Sequence, residues 1–401
     1  MQTNRDIKQF EAFNAWCNNP KSTLNLATGV GKTKVSLMCI NKAFQKIGST
    51  FKCLIIVPTE IIRDEVFPGE FKKFGFSHLL KYCEIKCIQT VYKYENQNYD
   101  LVVVDEIHRI LYENGEKEYE YFKFFENNTY RYILGLSASI DSNRLEALNR
   151  IAPISYVLSL DDAVKLGIIS PFKLYNVSIS LSQEELIEYN RLAKLYYYYE
   201  SLLGGRFKAF TNALNFINNG TDEEKKLSFI FRNTIKKRKS ILDDAVGKLT
   251  CTKKILTYFP NSNGIIFSES IIQAGKLIEN NEKAIAYHSK LKKPERLRAI
   301  SRLNDKRTKT QYISAVKALN EGLSIDSIEF AIITAGNSKV KDMIQRIGRS
   351  CRFVENKQAI VFRLYVKGTQ EEKWVRKSQI GFNTNNVYYV EEKDLWAILE
   401  D

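Results

Sequence analysis

Residues 24–33 read Leu-Asn-Leu-Ala-Thr-Gly-Val-Gly-Lys-Thr. An apolar stretch ends at Leu26 and a glycine-bearing turn follows. Lys32 and Thr33 then open a segment whose apolar residues, Val35, Leu37, Met38 and Ile40, fit a helix. A strand, a tight turn and a helix start in that order build a phosphate-binding loop. Gly29 and Gly31 let the backbone turn its N–H groups inward, and the positive end of the helix completes a socket for anionic oxygens. Ala27, Thr28 and Val30 complete the loop. Lys32 is placed to reach the outer phosphates of a nucleoside triphosphate, and the Thr33 hydroxyl to ligate Mg²⁺. The strict spacing G-x-x-x-x-G-K-T is not met, because position 26 is Leu.

Two further clusters suit the same chemistry. Asp105-Glu106-Ile107-His108 follows the apolar run Leu-Val-Val-Val. Triphosphate hydrolysis needs a carboxylate in the metal shell, a role for Asp105, and a group that orients the attacking water, a role for Glu106. Adjacent carboxylates otherwise form a solvated turn, and His108 alone could cap a helix. Far downstream, residues 345–352 read Gln-Arg-Ile-Gly-Arg-Ser-Cys-Arg. Arginines at spacings of three share one edge of a helix and repel one another unless an anion neutralises them. Arg349 and Arg352 suit a γ-phosphate, and a solvated basic helix is the rival reading.

The 401 residues hold two or three domains' worth of chain. The net charge of +14, from 60 basic and 46 acidic residues, points to an anionic partner such as a nucleic-acid backbone. Seven scattered cysteines form no C-x-x-C pair, which argues against structural zinc and fits a reducing compartment. The N-terminus is polar, with no signal peptide, and no apolar run approaches a membrane span.

Short apolar strands are expected at 52–57, 84–88, 101–104 and 131–136, each ending in polar groups: Pro58-Thr59, Gln89-Thr90, Asp105-Glu106 and Ser137-Ala138-Ser139. Strands alternating with helical stretches indicate a buried parallel sheet, whose ligands gather at the carboxyl ends of the strands. Ahead of the loop, residues 5–18 pattern as a helix with Ile7, Phe10, Phe13 and Trp16 near one face. A strand-like stretch at 172–181 leads into long polar helical segments from 183 to 248, which hold a run of four tyrosines at 196–199 and the basic run 236–239. The tyrosines cannot all face one way on a helix; core packing and base stacking are the two roles open to them. Strand–helix alternation resumes with strands expected at 264–267, 284–287, 311–315, 330–334 and 359–365, and the tail holds one helix over 370–377 followed by weaker structure.

Taken in order, these segments resemble the superfamily 2 helicases of DExH type over nearly the whole chain. The carrying motifs are residues 27–33, Pro58-Thr59, Thr90 after its strand, Asp-Glu-Ile-His, Ser137-Ala138-Ser139, Ile265-Ile266-Phe267-Ser268, residues 321–326 with Gly322 and Asp326, and Gln345 to Arg352. Residues 321–326 and Tyr287-His288-Ser289 are most similar to the DNA repair and recombination helicases of phages, bacteria and the eukaryotic repair-factor type, which include branch-migration enzymes. Ala27 stands where many relatives have proline, and Ser139 where they have threonine.

The resemblance implies an α/β fold of two RecA-like parallel-sheet domains in tandem, with a helical insertion in the second. The expected divisions are 1–165, 166–250 for the linker strand and insertion, 251–368, and a tail over 369–401. It implies ATP and Mg²⁺ as ligands, with Lys32, Asp105, Glu106, Gln345, Arg349 and Arg352 catalytic, and Thr33 and Asp105 on the metal. Gln9 reads adenine, and Gly322 and Asp326 join the residues of the loop in holding nucleotide. Pro58, Thr59 and Thr90 from the first domain, and Ser268, Ser314 and Lys317 from the second, touch a nucleic-acid backbone. The implied partner is single-stranded, forked or branched DNA, with RNA the alternative. A monomer in the cytoplasm, that of the host if the chain is phage-encoded, is expected. A binding subunit with a decayed ATPase core is the third reading, and the intact Lys32, Asp105, Glu106, Arg349 and Arg352 argue against it.

Overall fold

A computed structural model describes residues 3–111, 116–305, 307–316, 328–334, 358–378 and 386–400. The described residues fall into two units, with the main division between Phe172 and Lys173.

The first unit runs α1 (Asn4–Asn18), β1 (Lys21–Leu26), α2 (Lys32–Ile47), β2 (Cys53–Val57), α3 (Phe67–Lys73), β3 (Cys83–Cys87), α4 (Ile88–Val91), β4 (Asn98–Asp105), α5 (Glu116–Asn127), β5 (Thr129–Ser137), α6 (Leu145–Ile151), β6 (Ile154–Leu158) and α7 (Leu160–Lys165). Its six strands form one parallel sheet in the order β3-β2-β4-β5-β1-β6. β2, Cys-Leu-Ile-Ile-Val, is buried along its whole length, as a strand covered on both faces must be. The register pairs Asn25 with Ser137 and Asp105 with Leu136, which sets the carboxyl ends of β1, β5 and β4 side by side.

α1 begins with a capping box between Thr3 and Asp6. Its buried face is Gln9, Ala12 and Trp16, whereas Ile7 and Phe10 are exposed. The helical period is as expected and the face is rotated from it. The cause lies in two polar anchors: Gln9 turns in to the phosphate loop, and the Trp16 indole N–H donates to the Ile133 carbonyl at 3.0 Å.

The second unit begins with β7 (Phe172–Ile179) and continues α8 (Gln183–Leu202), α9 (Ala209–Asn219), α10 (Asp222–Asp243), α11 (Val246–Tyr258), β8 (Gly264–Ser268), α12 (Ile271–Ile278), β9 (Ala284–Tyr287), α13 (Lys293–Asn304), β10 (Tyr312–Val316), β11 (Phe330–Ile333), β12 (Ala359–Val366), α14 (Gln370–Ser378), β13 (Val387–Glu391) and α15 (Glu392–Glu400). Seven strands lie in the order β13-β7-β12-β11-β8-β10-β9. The tail is more regular than its sequence suggests. β13 pairs in parallel with β7 at the sheet edge, where Tyr388 stacks on Tyr175 at 5.1 Å between ring centroids and Tyr175 stacks on Phe362 at 5.8 Å. Stacking across strands holds an edge strand that lacks an alternating pattern.

α8, α9 and α10 carry a small core of their own, Leu203, Ala209, Ala213 and Phe231, with Tyr196 and Tyr199 packed against it. Tyr196 stacks on Phe231 at 5.5 Å, while Tyr197 and Tyr198 are exposed. Within the basic run, Lys236 and Lys237 are exposed. Arg238 lies over the rings of Tyr189 and Tyr196, and Lys239 pairs with Glu269 at 2.6 Å. Two of the four cations are therefore committed to contacts within the protein.

Candidate nucleotide site

β1 delivers the chain to the loop, where the Ala27 N–H donates to the Leu158 carbonyl at 2.9 Å. Gly29 and Gly31 both lie in the left-handed region, with φ of 88° and 99°. Gly31 is the N-cap of α2 and gives no side-chain cap, so the first N–H groups of this 16-residue helix have no side-chain acceptor there. The Gln9 amide N–H donates to the Val30 carbonyl at 2.6 Å and fixes the loop's crest against α1. Its amide oxygen, Oε1, is buried and has no hydrogen-bond partner among the described residues. An uncapped helix end fits anionic phosphate oxygens, and a buried acceptor beside it fits an exocyclic amine such as that of adenine. The residues present therefore suit a purine nucleoside triphosphate.

Gly31 is required twice over. Its φ excludes ordinary side chains, and a Cβ there would lie 2.3 Å from Gln9 Nε2. Gly31→Ala is expected to weaken ATP binding by roughly 10-fold or more, since left-handed strain alone costs ~1–2 kcal/mol. Gly48→Ala is the control: it shares a positive φ of 86° but has nothing within 4 Å of its Cβ position. Titration with a fluorescent ATP analogue checks both, and wild-type affinity in Gly31→Ala would refute this account of the loop.

The acidic side of the site lies at the end of β4. Glu106 is a non-glycine residue with φ 55° and ψ 51°, a conformation that turns the chain sharply out of the strand. Its carboxylate is buried, with Lys32 and His108 beside it. Lys32 Nζ lies 3.4 Å from Oε1, and His108 Nδ1 lies 3.5 Å from Oε2. His108 Nδ1 is also 2.9 Å from Ser137 Oγ. The Ser137 hydroxyl donates its hydrogen to the Ser139 carbonyl at 2.7 Å, so towards His108 it accepts and Nδ1 carries the proton. Arg144 Nη1 donates to the His108 carbonyl. The loop, the Asp-Glu-Ile-His tetrad and Ser-Ala-Ser, whose linking pairs stand 74 and 29 residues apart, thus join in one polar chain of lysine, glutamate, histidine and serine. Asp105 and Thr33, next to Glu106 and Lys32 in the sequence, are half-buried.

The other expected residues divide. Pro58 and Thr59 follow β2, and Thr90 lies in α4 just after the neighbouring β3. Gln89 Nε2 donates to the Pro58 carbonyl at 3.2 Å, which ties these two strand ends together. The Thr90 hydroxyl caps back onto the Cys87 carbonyl at 2.8 Å, and Thr59 Oγ1 is buried without a partner among the described residues. In the second unit, Ser268 and Ser314 face one another across β8 and β10 with hydroxyls 3.3 Å apart. Ser314 is 0% exposed inside its strand. Lys317, Gly322, Asp326, Gln345, Arg349 and Arg352 lie outside the described residues.

Residues 4–87 match the family model for the type III restriction enzyme res subunit, and residues 247–354 match the helicase conserved C-terminal domain. Among curated proteins the chain is similar to the DNA 3'-5' translocase XPB2 of Sulfurisphaera tokodaii, with 22% identity over 392 residues, covering 92% of this chain and 83% of the relative. The two domain matches and this relative together support a superfamily 2 helicase. Solved structures share its fold. S. cerevisiae Dbp5 bound to RNA and ADP BeF3 superposes with a TM-score of 0.64 at 14% identity, over 98% of this chain and 91% of that one. The Pyrococcus furiosus Hef helicase domain gives a TM-score of 0.57 at 18% identity, over 94% and 100%. The helicase is an ATP-hydrolysing enzyme with two parallel-sheet α/β domains of six and seven strands. Among the described residues no helix is long and apolar enough to cross a membrane.

Sequence reasoning missed the supports of this site in the helicase. Gln89 on Pro58 and Arg144 on the His108 carbonyl act through backbone carbonyls, so they leave no motif.

Proposed function

We propose that this helicase is an ATP-driven translocase on DNA that remodels forked or branched substrates in replication, recombination or repair. The observation that carries the reading is the polar chain from Lys32 through Glu106 and His108 to Ser137, because it links the phosphate loop to the segment after β5. The similar curated protein is named for 3'-5' translocation on DNA, and we carry that direction over. The net charge of +14 supports an anionic partner. We assign residues 1–165 to the ATP-binding domain, 166–250 to a linker strand and helical insertion, 251–368 to the second helicase domain, and 369–401 to a tail.

In this reading the residues of the loop, with Lys32, bind the triphosphate, Gln9 Oε1 accepts from the adenine amine, and Thr33 and Asp105 hold Mg²⁺. When bound, the ion would supply positive charge beside the phosphates. Glu106 orients the attacking water, and Gln345, Arg349 and Arg352 supply further hydrogen bonds and positive charge. Glu106 touches both Lys32 and His108, so a change in the lysine's partner reaches Ser137 without a large motion. Pro58, Thr59 and Thr90 sit on adjoining strand ends, where hydroxyls and backbone N–H groups suit phosphate contacts that do not read sequence.

The test compares ATPase stimulation by single-stranded DNA, forked DNA and RNA, together with strand separation on 3'- and 5'-tailed duplexes and junctions. Single-stranded and forked DNA are expected to stimulate, with affinity falling steeply as salt rises, by a slope near −0.7 per phosphate neutralised. Stimulation by RNA alone would overturn the DNA reading, and a salt-independent affinity would overturn tracking along the backbone.

A further inference from the structure

We propose that residues 204–208, between α8 and α9, form a base-stacking tip for single-stranded DNA. The proposal rests on the DNA reading above and concerns a surface outside the nucleotide site. Phe207 is 93% exposed, the most exposed large apolar side chain among the described residues. It is displayed by a built loop. Leu203 and Ala209 are buried on either side of it as anchors. Asn212 Nδ2 donates to the Leu203 carbonyl at 2.9 Å. Gly204 and Gly205 turn the chain with φ of 93° and 79°, and the Gly205 N–H closes onto the Glu200 carbonyl at 2.9 Å. The ring is held out into water although burying it would be favourable, so the loop meets something that covers an aromatic face.

Charge identifies the occupant. Arg206 and Lys208 flank the ring and are exposed. Phe210 and Leu214 continue the apolar stripe along α9 at helical spacing, each 54% exposed. Residues 201–221 contain no Asp or Glu. A partner with a flat apolar face beside regularly spaced negative charges matches this pattern, and single-stranded DNA supplies both as bases and phosphates. Stacking tolerates any base, as a translocating contact requires.

Binding of a labelled single-stranded oligodeoxynucleotide to the full chain tests the proposal, by anisotropy across a salt series. Phe207→Ala is expected to weaken binding roughly 5- to 100-fold, the range for one lost stacking contact. Because that contact is uncharged, the salt slope should match wild type, and Phe207→Trp should restore affinity. The double variant Arg206→Ala with Lys208→Ala should instead flatten the slope by about 1.4, at ~0.7 per lost phosphate contact. ATPase without DNA should be unchanged in every variant. Wild-type affinity in Phe207→Ala, or a loss accompanied by a changed slope, overturns the stacking tip. Sedimentation velocity supplies the other arm: a wild-type dimer that Phe207→Ala converts to monomer makes this face a contact between copies of the chain and overturns the proposal. If the wild-type protein neither binds DNA nor is stimulated by it, the functional reading itself fails. If it does both and Phe207→Ala is normal, only the tip fails.

Discussion

Glu106→Gln is expected to lower the DNA-stimulated ATPase rate by roughly 10²- to 10⁴-fold, the usual worth of a positioned general base. Binding should behave oppositely. The Glu106 carboxylate now serves as a counter-ion to Lys32, 3.4 Å away, with both side chains nearly excluded from water. Neutralising it frees the lysine for phosphate, so ATP affinity should hold or tighten. The amide keeps the volume of the buried pocket and can still hydrogen-bond to His108. Structure should be preserved, and the loss should appear in kcat and not in KM. Lys32→Ala is the contrasting variant: it should weaken ATP binding and remove the cation beside the buried Glu106 carboxylate. Stopped-flow measurement of the hydrolysis step, with binding of an ATP analogue measured separately, decides the matter. Near-normal turnover in Glu106→Gln would remove the carboxylate from the chemistry.

Lys248→Met should produce the largest loss of stability in the second unit. Lys248 and Glu371 are each 1% exposed and meet at 2.7 Å. The ammonium also donates to the Thr334 carbonyl at 2.9 Å, and the other carboxylate oxygen of Glu371 accepts from the Val366 N–H at 2.8 Å. This arrangement fastens the start of α11, next to the helical insertion, to the ends of β11 and β12. The surroundings disfavour charge strongly: burial pushes the nearby Asp243 carboxyl up to about 7, against the opposing pull of Lys248 and Lys239. Removing the lysine strands a buried carboxylate, which costs about 3–5 kcal/mol. For a unit of this size the melting transition should fall by roughly 10 °C. Adding Glu371→Gln removes the stranded charge and keeps an acceptor for the Val366 N–H, so the double variant should recover most of the loss. Calorimetry of the single and double variants tests this. A single variant within about 1 kcal/mol of wild type would show that the pair does not hold the unit together.

The glycine turn of the phosphate loop is local in sequence and was legible there. Gly29 and Gly31 announce a left-handed turn because other residues avoid that conformation, and both adopt it. β2 and β4 read as strands because their apolar runs are continuous, and a strand covered on both faces needs nothing else. The order of these segments was enough to imply two parallel-sheet domains, which the two sheets bear out.

Tertiary structure alone decided what polar residues do when they are buried. Gln9 is singled out by the sequence as an adenine reader but not as part of the buried face of α1, where a carbonyl 21 residues away accepts its amide. Lys248 and Glu371 stand 123 residues apart, and each read alone is a surface charge. Of the tyrosines at 196–199, neighbours on one helix take opposite environments, which composition does not rank. β13 forms because Tyr388 finds Tyr175 across the sheet, a contact with no trace in the tail's own pattern. Apolar periodicity and glycine spacing act over a few residues and survive in one dimension. The desolvation cost of a polar group is set by the atoms that surround it, and those are chosen only when the chain closes on itself.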